Sequence, residues 1–306
     1  MSLTVGIIGF PNVGKSTLFK ALTNTDVTIA DYPFTTINPN IGIVEIPDER
    51  LDMLSTLITP KRTLRAAIQF TDIAGLVRGA YKGEGLGNQF LGNIREVDVL
   101  CHVVRCFPRI SGEKLSPKDD MEIINYELIF ADLEQVDKRM QKIEKQKNKN
   151  NEFEEEYKLL EYIKEKLLKG IPVREHNLFF EQTKVISHLN LLTVKPQFYV
   201  ANIADVGDNE FSNAVKEVAL KEKAATIVVS AQLESELMEL DDASRELFLA
   251  EMGIKELGLY KLIKVAYNLL GSGTFYTTAN NDLRAWTFVL GMTAYDSITY
   301  LFYFVR

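Results

Sequence analysis

The chain has 306 residues, 46% of them hydrophobic and 25% charged, with a formal net charge of −7 at pH 7. That length has room for about two domains, and the composition is that of a globular protein with ample material for a core. The acidic balance excludes a global electrostatic pull toward nucleic acid, so any such contact has to come from a local basic patch.

Residues 3–8 form an apolar run of strand length, followed by Gly9-Phe10-Pro11-Asn12-Val13-Gly14-Lys15-Ser16 and a helical pattern over 17–23. The middle stretch fits Gly-x-x-x-x-Gly-Lys-Ser, the phosphate-binding loop between a strand and a helix. Glycines let backbone N–H groups turn inward around phosphate oxygens, where a side chain would block them. Lys15 is placed to reach the β- and γ-phosphates, and the Ser16 hydroxyl to coordinate Mg²⁺. The helix that starts near Lys15 points its positive end at the anion. The expected phosphate-side set is therefore Asn12, Val13, Gly14, Lys15, Ser16 and Thr17.

Further strands are expected at 41–45, 66–71, 97–107, 196–201 and 226–230, most followed by helix-like sequence. Short buried strands alternating with helices predict a mainly parallel α/β sheet, with the ligand at the carboxyl ends of its strands. Cys101 and Cys106 fall in one of these strands, five residues apart and so on opposite faces; they are expected as reduced, packed thiols, which suits the cytoplasm. No apolar run approaches the roughly 20 residues of a membrane helix, and the N-terminus lacks a secretion-signal pattern, so no membrane association is expected.

Ile129, Leu133, Val136, Met140 and Ile143 repeat at alternating steps of four and three, the seam of a coiled coil. After a polar break at 145–151, Phe153, Tyr157, Leu160, Ile163 and Leu167 resume a similar stripe. An antiparallel helical hairpin inserted at 121–189 follows, with nucleotide-binding segments at 1–120 and 190–278 on either side. Its first arm carries Lys138, Arg139, Lys142, Lys145, Lys147 and Lys149; the second opens with Glu152, Glu154, Glu155 and Glu156. Cross-arm charge pairing is the main reading, and a basic tip that touches RNA or a partner is the sharper one. From 279 onward the chain changes character: residues 284–289 alternate like a strand and 298–305 are dense in β-branched and aromatic residues. Fewer than thirty residues cannot bury a core of their own, so this tail is either an added strand pair or part of a larger module.

A phosphate loop calls for companions in a set order. Asp72-Ile73-Ala74-Gly75 ends the fourth expected element; Asp72 would hold the Mg²⁺ shell through water and the Gly75 N–H would sense the γ-phosphate. Thr36, twenty residues after Ser16, is the candidate to complete the metal shell, with Thr35 the weaker choice. Gly79, Gly83, Gly85 and Gly87 have the composition of a switch loop. Base recognition is expected where Asn202-Ile203-Ala204-Asp205 and Ser230-Ala231-Gln232 end two late strands. A guanine site usually reads Asn-Lys-x-Asp. Here Ile203 replaces the Lys that would lie along the base, while Asp205 keeps guanine open. Leu76 stands where Ras-type enzymes carry the Gln that orients the attacking water, so slow intrinsic turnover is expected. His102, the obvious polar substitute, lies in an apolar strand and reads as a packed, hydrogen-bonded histidine.

Together, residues 9–19, 32–40, 72–93, 102–107, 192–202 and 240–258 resemble the YchF/Obg-like ATPase family of translation-factor-class P-loop proteins. Gly83-Glu84-Gly85-Leu86-Gly87-Asn88 and Arg284-Ala285-Trp286-Thr287 favour this family over its Obg cousins. The resemblance implies a P-loop core with a coiled-coil insertion and a C-terminal TGS domain, here 279–306 and incomplete. It implies a preference for ATP over GTP, a hydrophobic residue in place of the Gln, and association with ribosomes. Asn202 and the backbone of Ile203 would then contact adenine, Gly9 to Ser16 would cradle phosphates, and Ser16 and Thr36 would hold Mg²⁺. Asn12 sits where some related enzymes hold potassium. Three departures stand out: Asp205 where relatives mostly carry Glu, a short loop after Phe107 that lacks a His, and a tail that runs from Ala294 almost directly into 295–306. The expected protein is a slow Mg²⁺-dependent ATPase switch that binds ribosomes through the large subunit or the whole particle. An Obg-type GTPase and a nucleotide-gated RNA- or ribosome-binding module with incidental hydrolysis are the alternatives.

Overall fold

The structure, a computed structural model, describes residues 3–23, 40–73, 75, 86–108, 115–145, 151–296 and 299. Its main sheet has six strands: β1 (Thr4–Ile8), β2 (Ile41–Glu45), β4 (Ala67–Asp72), β5 (Val99–Arg105), β6 (Gln197–Asn202) and β7 (Thr226–Val229). The spatial order is β2-β4-β1-β5-β6-β7. All neighbours run parallel except β2, which is antiparallel to β4 at one edge. The expected mainly parallel α/β sheet is thus present. β5 is buried along its whole length, as a central parallel strand covered on both faces must be. It is shorter than the apolar run suggests, because Cys106 still donates to Asn202 O at 2.8 Å but the chain then turns at Phe107.

Successive β5 residues point to opposite sides of the sheet and enter separate cores. Val99, Cys101 and Val103 join α1 (Lys15–Thr23) and α10 (Gly258–Leu269) on one face. Leu100 packs with α3 (Leu86–Arg95) and the start of α4 (Pro117–Ile143) on the other, and Val104 packs there against α7 (Glu210–Lys221). Cys101 and Cys106 therefore sit in different cores, both free and buried. Burial pushes the Cys101 thiol far above its usual range and that of Cys106 up to about 12, so neither is a reactive thiolate.

The helical insertion is built from α4 (Pro117–Ile143) and α5 (Asn151–Leu168). Val136, Ile143, Leu160, Ile163 and Leu167 form its buried seam, with Leu133, Met140, Phe153 and Tyr157 at its margin. The two arms are antiparallel: Arg139 makes a bidentate pair with Glu156 at 2.7 Å for each bond, and Lys164 pairs with Asp137 at 2.7 Å. Lys138 and Lys158 instead pair along their own helices, with Glu134 and Glu154. Helix α4 starts at Pro117, before the expected insertion, and its first half (Met121, Ile124, Leu128) packs on the sheet. One rigid helix therefore belongs to both layers. The buried Asp132 clamps it to the chain entering β6, accepting from Leu192 N (2.7 Å), Thr193 N (2.8 Å) and Thr193 Oγ1 (2.6 Å).

A second sheet joins β3 (Arg62–Leu64), β9 (Asp282–Val289) and β8 (Ser272–Ala279), in the order β3-β9-β8. Asn280 and Asn281, at φ 53° and 67°, make the two-residue turn between β8 and β9, the left-handed pair that suits a hairpin's twist. The strand pair begins at Ser272, ahead of the change in sequence character at 279, and β9 runs parallel to β3. Leu283 and Ala285 are buried in the core of the main sheet. This is how so short a segment is stabilised: it borrows a core. The run 298–305 lies outside the described residues, apart from Thr299.

Candidate functional site

The carboxyl ends of β1, β4, β6 and β7 converge on the loop between β1 and α1. Gly9 and Gly14 adopt φ 151° and 95°, and Asn12 adopts 61°. A Cβ on Gly9 would lie 2.5 Å from Val103 O, and one on Gly14 would lie 2.2 Å from Asn202 Nδ2. Both positions thus need glycine for close approach as well as for conformation. Val13 is buried in the core, fixing the loop from beneath, while Asn12 and Ser16 are exposed and Thr17 half-buried in the first turn of α1.

Lys15 opens α1, and its Nζ spans the loop to donate to Phe10 O at 2.9 Å. Burial lowers the pKa of this ammonium, and the nearby Asp72 carboxylate opposes the shift. The Ser16 hydroxyl donates to Asp72 Oδ2 at 2.8 Å. The other oxygen, Asp72 Oδ1, is buried and has no hydrogen-bond partner among the described residues, a costly arrangement unless a cation or water completes it. A hydroxyl and a carboxylate with a spare oxygen are hard donors that suit Mg²⁺. Gly75 packs closely against the loop: a Cβ there would lie 3.0 Å from Pro11 N and 3.1 Å from Lys15 Nζ. The structure therefore brings together Lys15, Ser16, Asp72 and Gly75, fifty-six residues apart between Ser16 and Asp72.

On the opposite side, the buried Asn202 donates from Nδ2 to Val13 O at 2.8 Å and accepts at Oδ1 from Ala231 N at 2.9 Å. Its amide spans the phosphate loop and the junction of β7 with α8 (Ala231–Met238) as a strut, a role the expected adenine contact did not include. Ile203 is buried, and its N–H donates to Val229 O at 2.8 Å, so its backbone contribution to a base narrows to the carbonyl. Asp205 lies exposed in the turn that follows. Ser230 caps α8 (Ala231–Met238) by accepting from Leu233 N at 3.4 Å, and donates to Ala204 O at 3.0 Å.

Thr35, Thr36, Leu76 and the glycines Gly79, Gly83 and Gly85 lie outside the described residues. Gly87 belongs to the first turn of α3. His102 is 1% exposed on β5, its ring 5.2 Å from that of Tyr199. Burial first, then Arg174 and Lys15, push its pKa down to about 3. The histidine is packed, as expected, but its Nδ1 has no hydrogen-bond partner among the described residues. Neutral and shut off from solvent, it is in no position to orient an attacking water. The residue the sequence reading did not single out is Glu234, buried on α8 with its carboxylate on the first residues of α10. An acid at an ordinary helical position gives no sequence signal that separates it from a solvated one.

A glycine-rich loop, the Lys15 and Ser16 pair, and an Asp at the end of the adjacent parallel strand define a P-loop nucleoside-triphosphate-binding domain. A family model described as "50S ribosome-binding GTPase" matches residues 4–151. The "Ribosome-binding ATPase YchF" of Bacillus subtilis (strain 168) is 50% identical over 307 residues, covering 96% of this chain and 83% of that protein. The protein of the same name from Escherichia coli O157:H7 is 43% identical over 302 residues, with the same coverage. Among solved structures, "Structure of the Schizosaccharomyces pombe YchF GTPase" superimposes with a TM-score of 0.87 at 30% identity, over 97% of this chain and 83% of the other. A GTP-binding protein from Pyrococcus horikoshii OT3, at TM-score 0.61 and 20% identity, shares the fold. The chain belongs to the YchF family.

Proposed function

We propose that this chain is a Mg²⁺-dependent ATPase of low intrinsic rate that binds ribosomes and uses its nucleotide state as a switch. The observation that carries the nucleotide part is the Ser16–Asp72 pair, with its spare buried oxygen, facing Lys15 across the glycine loop. The choice of ATP and of the ribosome is supported by the names of relatives 50% and 43% identical to it. Replacement of the usual Lys by the buried Ile203 supports adenine over guanine.

Phosphoryl transfer asks a protein mainly for positioning and charge stabilisation. Lys15 would contact the β- and γ-phosphates, the loop N–H groups from Asn12 to Thr17 would cradle them, and the Gly75 N–H would read the γ-phosphate. Ser16, Thr36 and Asp72 would hold Mg²⁺, which would supply positive charge against the negative charge that develops on the phosphates. Asn202, Ser230 and Ala231 would shape the base side, with the Ile203 carbonyl and Asp205 beside the base. Leu76 in place of a water-orienting Gln supports slow turnover, raised when a partner supplies the missing group. The domain division that fits this reading is a nucleotide-binding domain at 1–120 and 190–278, a helical insertion at 121–189 with its own hydrophobic cluster, and a TGS-type region at 279–306, with α4 shared across the first boundary and the β8–β9 pair across the last. Among the described residues no helix is long and apolar enough to cross a membrane, and the proposed setting is the cytoplasm.

Asp205, together with the word GTPase in the description of the fission-yeast relative, favours a second reading in which GTP is the substrate. Calorimetric titration with ATP and GTP separates the two: tighter ATP binding is expected, and a clear GTP preference overturns the choice of base. Turnover with and without ribosomes then tests the switch. Stimulation is expected; its absence, with ribosome binding unchanged in Lys15→Ala, leaves a binding module instead.

A further inference from the structure

Helix α8 starts directly after β7, and its first turn is tied in two directions. Toward the nucleotide site, Ala231 N donates to Asn202 Oδ1 at 2.9 Å, and Ser230 Oγ donates to Ala204 O at 3.0 Å. Away from it, the Glu234 carboxylate reaches α10, where Oε1 accepts from Gly258 N at 2.6 Å and Oε2 from Leu259 N at 3.5 Å. Leu257, at the head of α10, offers no side-chain cap. The Glu234 carboxyl, from another helix, does that work, its oxygens accepting at the positive end of α10.

The approach is close on every side. A Cβ on Gly258 would lie 2.7 Å from Glu234 Oε1 and 2.5 Å from Val229 Cγ1, so only glycine admits the carboxylate here. Helix α10 is itself immobilised: Leu259, Leu262, Ile263 and Ala266 are buried in the main core. Glu234 thus joins the start of α8 to a fixed point. From there the connection continues through Ala231 N and Asn202 to the carbonyl of Val13.

We infer that Glu234 is a positioning residue for the nucleoside end of the site: by docking α8 on α10 it holds the Ser230–Ala231 loop and the Asn202 strut in register. The inference rests on the reading of this site as a nucleotide site. Its effect falls on recognition of the base and ribose. The triphosphate end also has ties of its own, Lys15 to Phe10 O and Ser16 to Asp72, and these hold it when the Asn202 strut loosens.

Glu234→Ala and Glu234→Gln, compared with wild type for binding of Mg·ATP and of Mg·tripolyphosphate and for steady-state hydrolysis, test this. In Glu234→Ala, ATP affinity is expected to fall about tenfold and KM to rise in step, with kcat within about twofold and tripolyphosphate affinity unchanged. Glu234→Gln, whose amide oxygen still accepts from Gly258 N, should recover most of the loss. Equal ATP affinity in Glu234→Ala and wild type overturns the inference, and so does a parallel loss of both ligands, which marks a merely structural role. If Glu234→Ala does not fold, Glu234→Asp, with a shorter reach, carries the same pair of expectations. Failure of wild type itself to bind ATP is a different result, which sinks the nucleotide reading instead.

Discussion

The two ends of the site are built on opposite plans. The phosphate end consists of backbone in left-handed conformation, a lysine, a hydroxyl and a carboxylate oxygen without a partner. Its polar groups are poised for something outside the protein. The base end consists of side chains whose hydrogen bonds are spent on other parts of the chain: Asn202 on Val13 and Ala231, Ser230 on Ala204, Glu234 on Gly258. One end presents chemistry and the other holds geometry. Loss of a residue should therefore act directly on phosphate binding and turnover at the phosphate end, and on stability and, through alignment, on nucleotide affinity at the base end.

Lys15→Ala is the strongest way to test this contrast. It should lower ATP turnover by about 10²-fold or more, while urea unfolding shows stability unchanged or slightly raised, because a half-desolvated ammonium is removed. Marked destabilisation would break the distinction. Asn202→Ala comes next. It strands the Val13 carbonyl and the Ala231 N–H, each costing about 1–3 kcal/mol when buried, so a loss of about 2–4 kcal/mol is expected in chemical denaturation. Retained stability with lost binding would mean that Asn202 is a ligand contact and not a strut.

A smaller effect is expected where the second sheet meets α2 (Glu49–Ile58), outside both ends. Asp48 caps α2 and accepts from Tyr276 OH at 2.5 Å and from Arg50. Burial would raise its pKa, but the bonds from Tyr276 and Arg50 together outweigh burial and leave it lowered from 3.8. A depressed carboxylate stabilises the fold above its unfolded value, and that stability is lost as pH falls through the folded value. Asp48→Asn should therefore be less stable than wild type at neutral pH, with the gap closing below about pH 4. A gap constant with pH would show that the charge contributes nothing. The smallest effect belongs to His102→Leu, which removes an unpartnered buried nitrogen. Turnover should stay within about twofold, and thermal unfolding should show stability unchanged or raised by about 1 kcal/mol. A large fall in kcat would place His102 in the chemistry after all.

The contrast between the two ends also explains how much of each was legible. The residues of the phosphate end have few substitutes. Only glycine tolerates the approach to Val103 O and Asn202, and only an ammonium and a hydroxyl at that spacing meet phosphate and metal. The strands were legible for a similar reason, since buried parallel strands demand continuous apolar runs. The base end was harder to read. Asn202 was recognised by position, but its partners are 189 and 29 residues away, and no local pattern says which groups an amide will meet. Glu234 looks like one more acid on an acidic helix until α10 is folded against it.

The chain order of motifs was enough to determine a P-loop domain interrupted by a helical hairpin, because periodicity and turn chemistry act over a few residues. Tertiary structure alone decided that α4 is shared between sheet and hairpin, and that the β8–β9 strands are stabilised by joining β3 and the main core. It also decided that His102 is sealed away and that the base end is held by struts. These outcomes depend on burial and on partners distant in sequence, where the cost of an unpaired polar group selects one arrangement from many. The glycine loop announces a triphosphate site; the packing around Asn202 and Glu234 is what the proposed hold on the rest of the nucleotide depends on.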